Sequence, residues 1–177
     1  MELIRNNIDR IESLKERLKE SSYEFNKILT DKKTGTVETY EGKYLVRKNY
    51  KDGVQHGLHE RVHPSGQVMS RGTYFNGQPH GLYEGFQVTG EVLYEYNYHH
   101  GKLHGQQRNY YDNGILKRTE EHHKGGPLGE FVWYYDNGEV WSQRNYKDDR
   151  NDGKWIWYNE DGEIRNIENY DKGKRID

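Results

Sequence analysis

Histidines are the side chains in this sequence best suited to bind a metal, and several recur at a fixed interval. His56, His80 and His104 are spaced by 24 residues, and the same interval separates His99 from His123. If equivalent positions lie two strands apart in a sheet, His99 and His123 are roughly 9.5–10 Å apart. That distance is too long for two ligands of one zinc ion unless the side chains converge. We therefore expect structural or surface roles for the histidines, and neither a metal site nor a cofactor.

Residues that could carry out catalysis are scarce. The chain has no cysteine, so it has no thiolate nucleophile. It also lacks a glycine-rich loop between a strand and a helix, and a G-x-S-x-G motif. Glu60, Glu84 and His63 could form an acid–base set, but Glu60 and Glu84 occupy one repeated position, and such positions more often stabilise an array. We therefore predict that the protein is not an enzyme.

The glycines reveal an internal repeat of 24 residues. They fall into three series with this spacing, and Asp149 replaces a glycine once in the third series. The series are Gly57, Gly81, Gly105, Gly129 and Gly153; Gly42, Gly66, Gly90, Gly114, Gly138 and Gly162; and Gly53, Gly77, Gly101, Gly125 and Gly173. A period of this length indicates an array in which each unit packs on its neighbours.

Each unit carries two runs of five to eight residues around a turn of the Asn/Asp-Gly type, which is the signal of a β-hairpin. Aromatic or apolar residues also recur in columns, such as Tyr50, Tyr74, Tyr98, Tyr146 and Tyr170. We therefore predict a mainly β fold, an elongated antiparallel meander of tandem hairpins with about twelve strands. Asp149 is expected to adopt the left-handed conformation of the glycines in its series.

The chain divides into three predicted parts. Residues 1–30 form an amphipathic helix, because Ile4, Ile11 and Leu18 are seven residues apart on an apolar stripe. This helix could pack on the sheet, bind a partner or dimerise as a coiled coil. Residues 31–36 are a polar linker, and residues 37–177 are an array of about six units. The first unit is truncated, and the others span 56–79, 80–103, 104–127, 128–151 and 152–175.

The turn at Asp136-Asn137-Gly138 predicts how the strands of a hairpin pair. A three-residue loop would place Tyr134 opposite Val140 and Trp133 opposite Trp141, with Tyr134, Val140 and Tyr146 on one face. The other face then becomes aromatic in the last two full units. The predicted protein-binding residues on this face are Phe131, Trp133, Trp141, Trp155 and Trp157. Tryptophan is enriched at interface hot spots, so we expect either a partner or the chain's own N-terminal helix to cover this face.

The repeat resembles the MORN repeat in its bacterial 24-residue variant. The segments GEFVWYYDNGEVWSQRNYKDDRND and GKWIWYNEDGEIRNIENYDKGKRI carry the resemblance most closely, and HGQQRNYYDNGILKRTEEHHKGG carries it less fully. The resemblance covers about residues 37–175 and implies β-hairpin units that bind other proteins. It also suggests an antitoxin, because many bacterial members of the family have that role.

Composition narrows the choice of partners. The net charge is -2, whereas a nucleic-acid-binding protein normally presents a basic face, so we expect no nucleic acid. The sequence has no long apolar run, and its start lacks an apolar signal-peptide core, so we expect a cytoplasmic protein that does not bind a membrane. The leading hypothesis is a protein-binding antitoxin or immunity factor that acts by occlusion, with a possible toxin as its partner. The alternative is a structural scaffold that assembles through the N-terminal helix, and the oligomeric state stays open.

Overall fold

The computed structural model describes residues 34–176 together with Ser13 and Arg17. In the part of the chain described, the fold consists of sixteen β-strands, numbered here in chain order. They are β1 Gly35–Glu41, β2 Tyr44–Lys51, β3 Val54–Val62, β4 Val68–Phe75, β5 Gln78–Phe86, β6 Val92–His99, β7 Lys102–Leu103, β8 Gly105–Tyr110, β9 Leu116–His123, β10 Gly126–Pro127, β11 Gly129–Tyr134, β12 Val140–Lys147, β13 Arg150–Asn151, β14 Gly153–Tyr158, β15 Ile164–Asp171 and β16 Lys174–Arg175.

All of these strands belong to one antiparallel sheet in which the chain runs back and forth as a meander. Twelve strands have six to nine residues, which matches the predicted number, and the other four have two residues each. The short strands β7, β10, β13 and β16 pair with the end of the strand that precedes them. The mainly β hairpin fold is therefore confirmed. The predicted helix over residues 1–30 lies outside the described residues apart from Ser13 and Arg17.

Two kinds of turn alternate along the sheet, and both follow from the glycine series. In the first kind, the Tyr135 amide donates to the Glu139 carbonyl at 2.8 Å, and the Gly138 amide donates to the Tyr135 carbonyl at 3.1 Å. This is the predicted three-residue loop, and Gly138 has the positive φ, 91°, that the loop requires.

The second kind of turn has two residues, and both have positive φ. Asp52 and Gly53 have φ values of 52° and 80°, as expected for the mirror-image turns that fit the twist of a hairpin. Asp148 and Asp149 form the equivalent turn with φ values of 50° and 60°. The left-handed conformation predicted for Asp149 is thus confirmed.

The register of the β11–β12 hairpin is only partly as predicted. Tyr134 does lie opposite Val140, but a bulge follows at once and places Trp133 opposite Ser142. The predicted Trp133–Trp141 pair is therefore wrong, because Trp141 is the extra residue of the bulge. The bulge also reverses the alternation of side chains beyond it. Tyr146, opposite Gly129, consequently lies on the face of Phe131 and not on that of Tyr134.

The leading glycines lie at a second irregularity, where the strand bends. Lys48 pairs with His59 and Tyr50 pairs with Gln55, so three residues around Gly57 oppose Asn49 alone. The Asn49 side chain donates to the Leu58 carbonyl at 2.9 Å and ties the bend to the neighbouring strand. Asn97 and Asn145 make the equivalent bond two and four units later. This column of asparagines at intervals of 48 residues was missed by the sequence analysis.

The core of the described residues is thin. The buried apolar residues are Val37, Val46, Val62, Phe131 and Val132. Most other large side chains are half-buried, because each contacts its neighbours within one sheet and not a second layer. In the part of the chain that the structure describes, no helix has the length and apolar character needed to cross a membrane.

Candidate protein-binding face

One face of the sheet carries a row of side chains that contact one another across successive strands, which we call the aromatic ladder. Its members alternate between two repeat columns, so each contact joins neighbouring strands. In order across the sheet they are His59, Tyr74, Tyr83, Tyr98, Gln107, His122, Phe131, Tyr146, Trp155 and Tyr170. The ring centroids of neighbours are 4.6–6.5 Å apart wherever ring contacts occur, which is the range of favourable aromatic pairs.

Gln107 is the one member of the aromatic ladder without a ring, and it is only 1% exposed. Its side-chain oxygen accepts a hydrogen bond from the Asn97 amide at 2.8 Å, and its side-chain nitrogen donates to the Asn97 and Gly105 carbonyls at 3.2 and 2.8 Å. The amide is therefore satisfied although it is buried. Gln107 thus fills the gap between Tyr98 and His122.

The end of the ladder widens into what we call the tryptophan patch, formed by Phe131, Trp133, Trp155, Trp157 and Arg144. The Arg144 guanidinium carbon lies 4.4, 5.0 and 5.7 Å from the centroids of Trp133, Trp155 and Trp157, within the range of cation–π interactions. Trp133 and Trp157 also contact Phe131 and Trp155, with centroids 5.9 and 6.2 Å apart. Four of the five predicted binding residues are thus brought together.

Trp141 is the predicted binding residue that the structure separates from this patch. It is half-buried at the bulge in β12, and within residues 34–176 no ring contact joins it to the other four. Arg144 was missed in its place. It lies opposite Phe131 in the register of β11 and β12. The sequence signal was present, because Arg144 is two residues from Tyr146 and therefore on the same face.

The tryptophan patch differs in its surroundings from the rest of the ladder. Trp155 is held by a hydrogen bond from its indole nitrogen to the Asn145 carbonyl at 3.2 Å, and its ring lies between Tyr146 and Tyr170. In contrast, the Arg144 Nε atom is buried and has no hydrogen-bond partner among the described residues. Trp155 therefore belongs to the fold, whereas Arg144 is incompletely satisfied.

Glycines replace large side chains at two positions in the first half of this face. Gly72 lies opposite Tyr83, and Gly85 lies opposite Tyr94. A side-chain carbon added to either glycine would overlap the tyrosine ring across from it. These glycines stand outside the three repeat series, and they are explained by the rings that cover them.

The opposite face carries ion pairs in the first half of the sheet. Arg47 pairs with Glu38 at 2.8 Å and approaches Glu60 at 3.8 Å, while Arg71 pairs with Glu84 at 2.7 Å. The hydrogen bonds to these carboxylates raise the pKa of both arginines. His63 instead contacts the Ser65 hydroxyl in a turn, with Nδ1 and Oγ 2.8 Å apart. Glu60 and Glu84 are thus engaged by arginines, as expected of a solvated charged face.

The histidines gather along one edge of the sheet. His99 and His123 do not meet, because His104 lies between them, with ring centroids 5.5 Å from His99 and 5.0 Å from His123. His99 is closer to His100 and His80, with centroids at 4.4 and 5.1 Å. Desolvation lowers the pKa of His99, and its histidine neighbours lower it further.

Comparison with known proteins supports the repeat and little more. No curated protein matches the chain. Among solved structures, the chain is similar to a crystal structure of a mutant of S. aureus TarM in complex with fondaparinux, alpha-GlcNAc-glycerol and UDP, with 17% identity and a TM-score of 0.28. The similarity covers 56% of this chain and 22% of that one, so this chain spans about a fifth of the length of TarM. A similarity this distant carries no functional argument.

The repeat itself does match a known family. The family described as "MORN repeat variant" matches residues 55–76, 103–124, 127–148 and 151–172. Three of these segments contain or flank the tryptophan patch and the second half of the ladder. MORN repeats generally bind proteins or membranes. The four matched units are repeats of the MORN variant type, as predicted from the sequence, whereas an antitoxin type within that family stays a prediction.

Proposed function

We propose that the chain is a non-enzymatic, protein-binding repeat protein and that the tryptophan patch docks its protein partner. One observation carries this proposal, namely that Arg144 lies among three indole rings while its Nε atom lacks an acceptor. Buried donors are normally paired. Tryptophan and arginine are also the residues most enriched among interface hot spots.

The chemistry of the patch defines what the partner must offer. A guanidinium group has five donors and no acceptor, so it binds a carboxylate or a backbone carbonyl. Trp133 and Trp157 flank Arg144 and bind through apolar or aromatic surface. The partner segment therefore presents an apolar side chain next to an acidic or carbonyl group.

We further propose that this binding makes the protein an antitoxin or immunity factor. Such a protein needs only to cover a functional surface of its partner, so it requires no catalytic group of its own. An extended sheet face with a concentrated aromatic patch suits this role. The alternative, a scaffold that assembles with copies of itself, predicts self-association in place of a toxic partner.

The test uses the protein encoded beside this one as the candidate partner. It is expressed alone, with the wild-type chain, and with the double variant Trp133→Ala/Trp157→Ala. We expect growth arrest when the neighbour is expressed alone and rescue by the wild-type chain. Binding measured by calorimetry should weaken by at least about 100-fold in the double variant, because hot-spot truncations cost roughly 2–4 kcal/mol each.

Trp141→Ala is the matched control, since it removes an indole outside the patch. It should bind and rescue as the wild type does. Unchanged affinity in the double variant would contradict the proposed site. A neighbour that is harmless when expressed alone would contradict the antitoxin role, and a wild-type chain that self-associates in light scattering would favour the scaffold.

A further inference from the structure

We propose that His80, His99 and His100 bind one transition-metal ion, of the kind that prefers imidazole ligands. One ligand nitrogen from each residue can be chosen so that all three lie within 4.8 Å of one another. His80 is half-buried, and His99 and His100 are exposed. The cluster is separate from the tryptophan patch, so the inference does not depend on the proposed function.

Neighbouring strands and a turn bring the three residues together. His80 lies in β5, and His99 is the last residue of β6, which pairs with β5. His100 follows as the first residue of a two-residue turn, with a φ of 48°. The ring centroids are 5.1 Å apart for His80 and His99, 5.0 Å for His80 and His100, and 4.4 Å for His99 and His100. Each ring therefore contacts both others.

Little rearrangement is needed to reach the geometry of a bound metal. Zinc–nitrogen bonds of about 2.0–2.1 Å in a tetrahedral site place ligand nitrogens roughly 3.4 Å apart. The three nitrogens must approach by up to about 1.4 Å, which the exposed His99 and His100 can achieve through side-chain rotation. Three protein ligands leave a fourth position open for water or for a partner's side chain.

The tautomer of His80 is weakly held. The His100 backbone amide donates to His80 Nδ1 at 3.5 Å, which is at the long limit of a hydrogen bond. If a metal binds His80 through Nε2, the ring proton moves to Nδ1 and this hydrogen bond is lost. Because the bond is so long, its loss costs little, and metal binding through either nitrogen stays open to His80.

The surroundings favour an imidazole-binding metal over a hard cation. The trio contains no carboxylate, whereas Mg²⁺ and Ca²⁺ require oxygen ligands. The Phe75 ring packs against His80 and His100, with centroids 5.7 and 5.9 Å apart. An apolar wall of this kind limits water at a metal site and strengthens the interaction with the ion. Zn²⁺, Ni²⁺ and Cu²⁺ are therefore the expected ligands.

The test is calorimetric titration of the untagged full chain with Zn²⁺ and, separately, with Ni²⁺. We expect one equivalent of metal to bind per chain. His99→Ala and His100→Asn should each weaken binding by at least about tenfold, because either change removes one of three ligands. Asparagine is chosen for residue 100 because it tolerates the left-handed conformation, so the turn is kept. Circular dichroism of each variant confirms that the sheet is intact.

His123→Ala is the matched control. It removes an exposed histidine from the same edge of the sheet, and it should leave the affinity unchanged. The proposal is overturned if the wild type shows no saturable binding near one equivalent. It is also overturned if His123→Ala weakens binding as much as His100→Asn, since the ion would then be bound elsewhere along the edge. Trp133→Ala/Trp157→Ala should bind metal normally, which separates this test from that of the proposed function.

Discussion

Replacing Trp155 with alanine should destabilise the fold, because this ring links the last two hairpins. It contacts Tyr146 and Tyr170, with centroids 5.6 and 4.6 Å away, and its indole nitrogen donates to the Asn145 carbonyl. A tryptophan that buries most of roughly 150–250 Å² contributes about 4–6 kcal/mol at about 25 cal/mol per Å². Partial burial in the unfolded chain lowers this value by about 10–40%. We therefore expect Trp155→Ala to lower the free energy of unfolding by about 3 kcal/mol.

Thermal unfolding followed by circular dichroism measures this effect. For a chain of this size, 1 kcal/mol shifts the melting temperature by about 2–4 °C, so the expected decrease is roughly 6–12 °C. Trp155→Phe is the control, because Phe131 occupies the equivalent position one unit earlier and keeps the ring contacts. It should cost much less, about 1 kcal/mol for the lost hydrogen bond. A shift below about 2 °C for Trp155→Ala would refute the view that the aromatic ladder holds adjacent hairpins together.

Two further predictions concern a turn and a buried histidine. Gly138→Val should lower the melting temperature clearly more than Gly138→Asn, because an added side chain has room but valine resists positive φ; equal losses would contradict the turn assignment. Burial, assisted by Lys48, lowers the pKa of His59 in the folded chain. The unfolded chain therefore takes up a proton near pH 6.5 while the folded chain does so only at lower pH, so the free energy of unfolding should fall as the pH drops below about 6.5. His59→Tyr, which introduces the residue type found at the equivalent Tyr83, should reduce this fall in urea titrations at pH 5 and 7.5, and an unchanged fall would show that other groups cause it.

The glycine series predicted the turns well because turn conformation is a local property. A two- or three-residue hairpin loop requires positive φ at fixed positions, and only a few residue types adopt it at low cost. Gly138 and Asp149 could therefore be assigned from their positions alone. The number of long strands followed directly, since each pair of turns encloses two of them.

The register beyond the turns was harder to predict because the bulges leave no mark in the repeat. Trp141 occupies a position that reads as part of a regular strand, yet it is an extra residue that shifts Trp133 from Trp141 to Ser142. A one-residue shift moves every later side chain to the other face. This explains why Tyr146 was assigned to the wrong face while Tyr134 and Val140 were correctly paired.

The histidine trio escaped detection for a reason that applies to the whole sheet. A repeat column compares residues 24 apart, which lie two strands apart, whereas side chains touch across adjacent strands spaced by about 4.8 Å. His80 and His99 are 19 residues apart and belong to different columns, so comparing columns separately could not join them. The ladder contacts obey the same rule, since Phe131 meets Tyr146 and Tyr146 meets Trp155 at separations of 15 and 9 residues. In an antiparallel repeat sheet, a column identifies which residues are equivalent, and the pairing of two columns across a hairpin determines which of them can form a site.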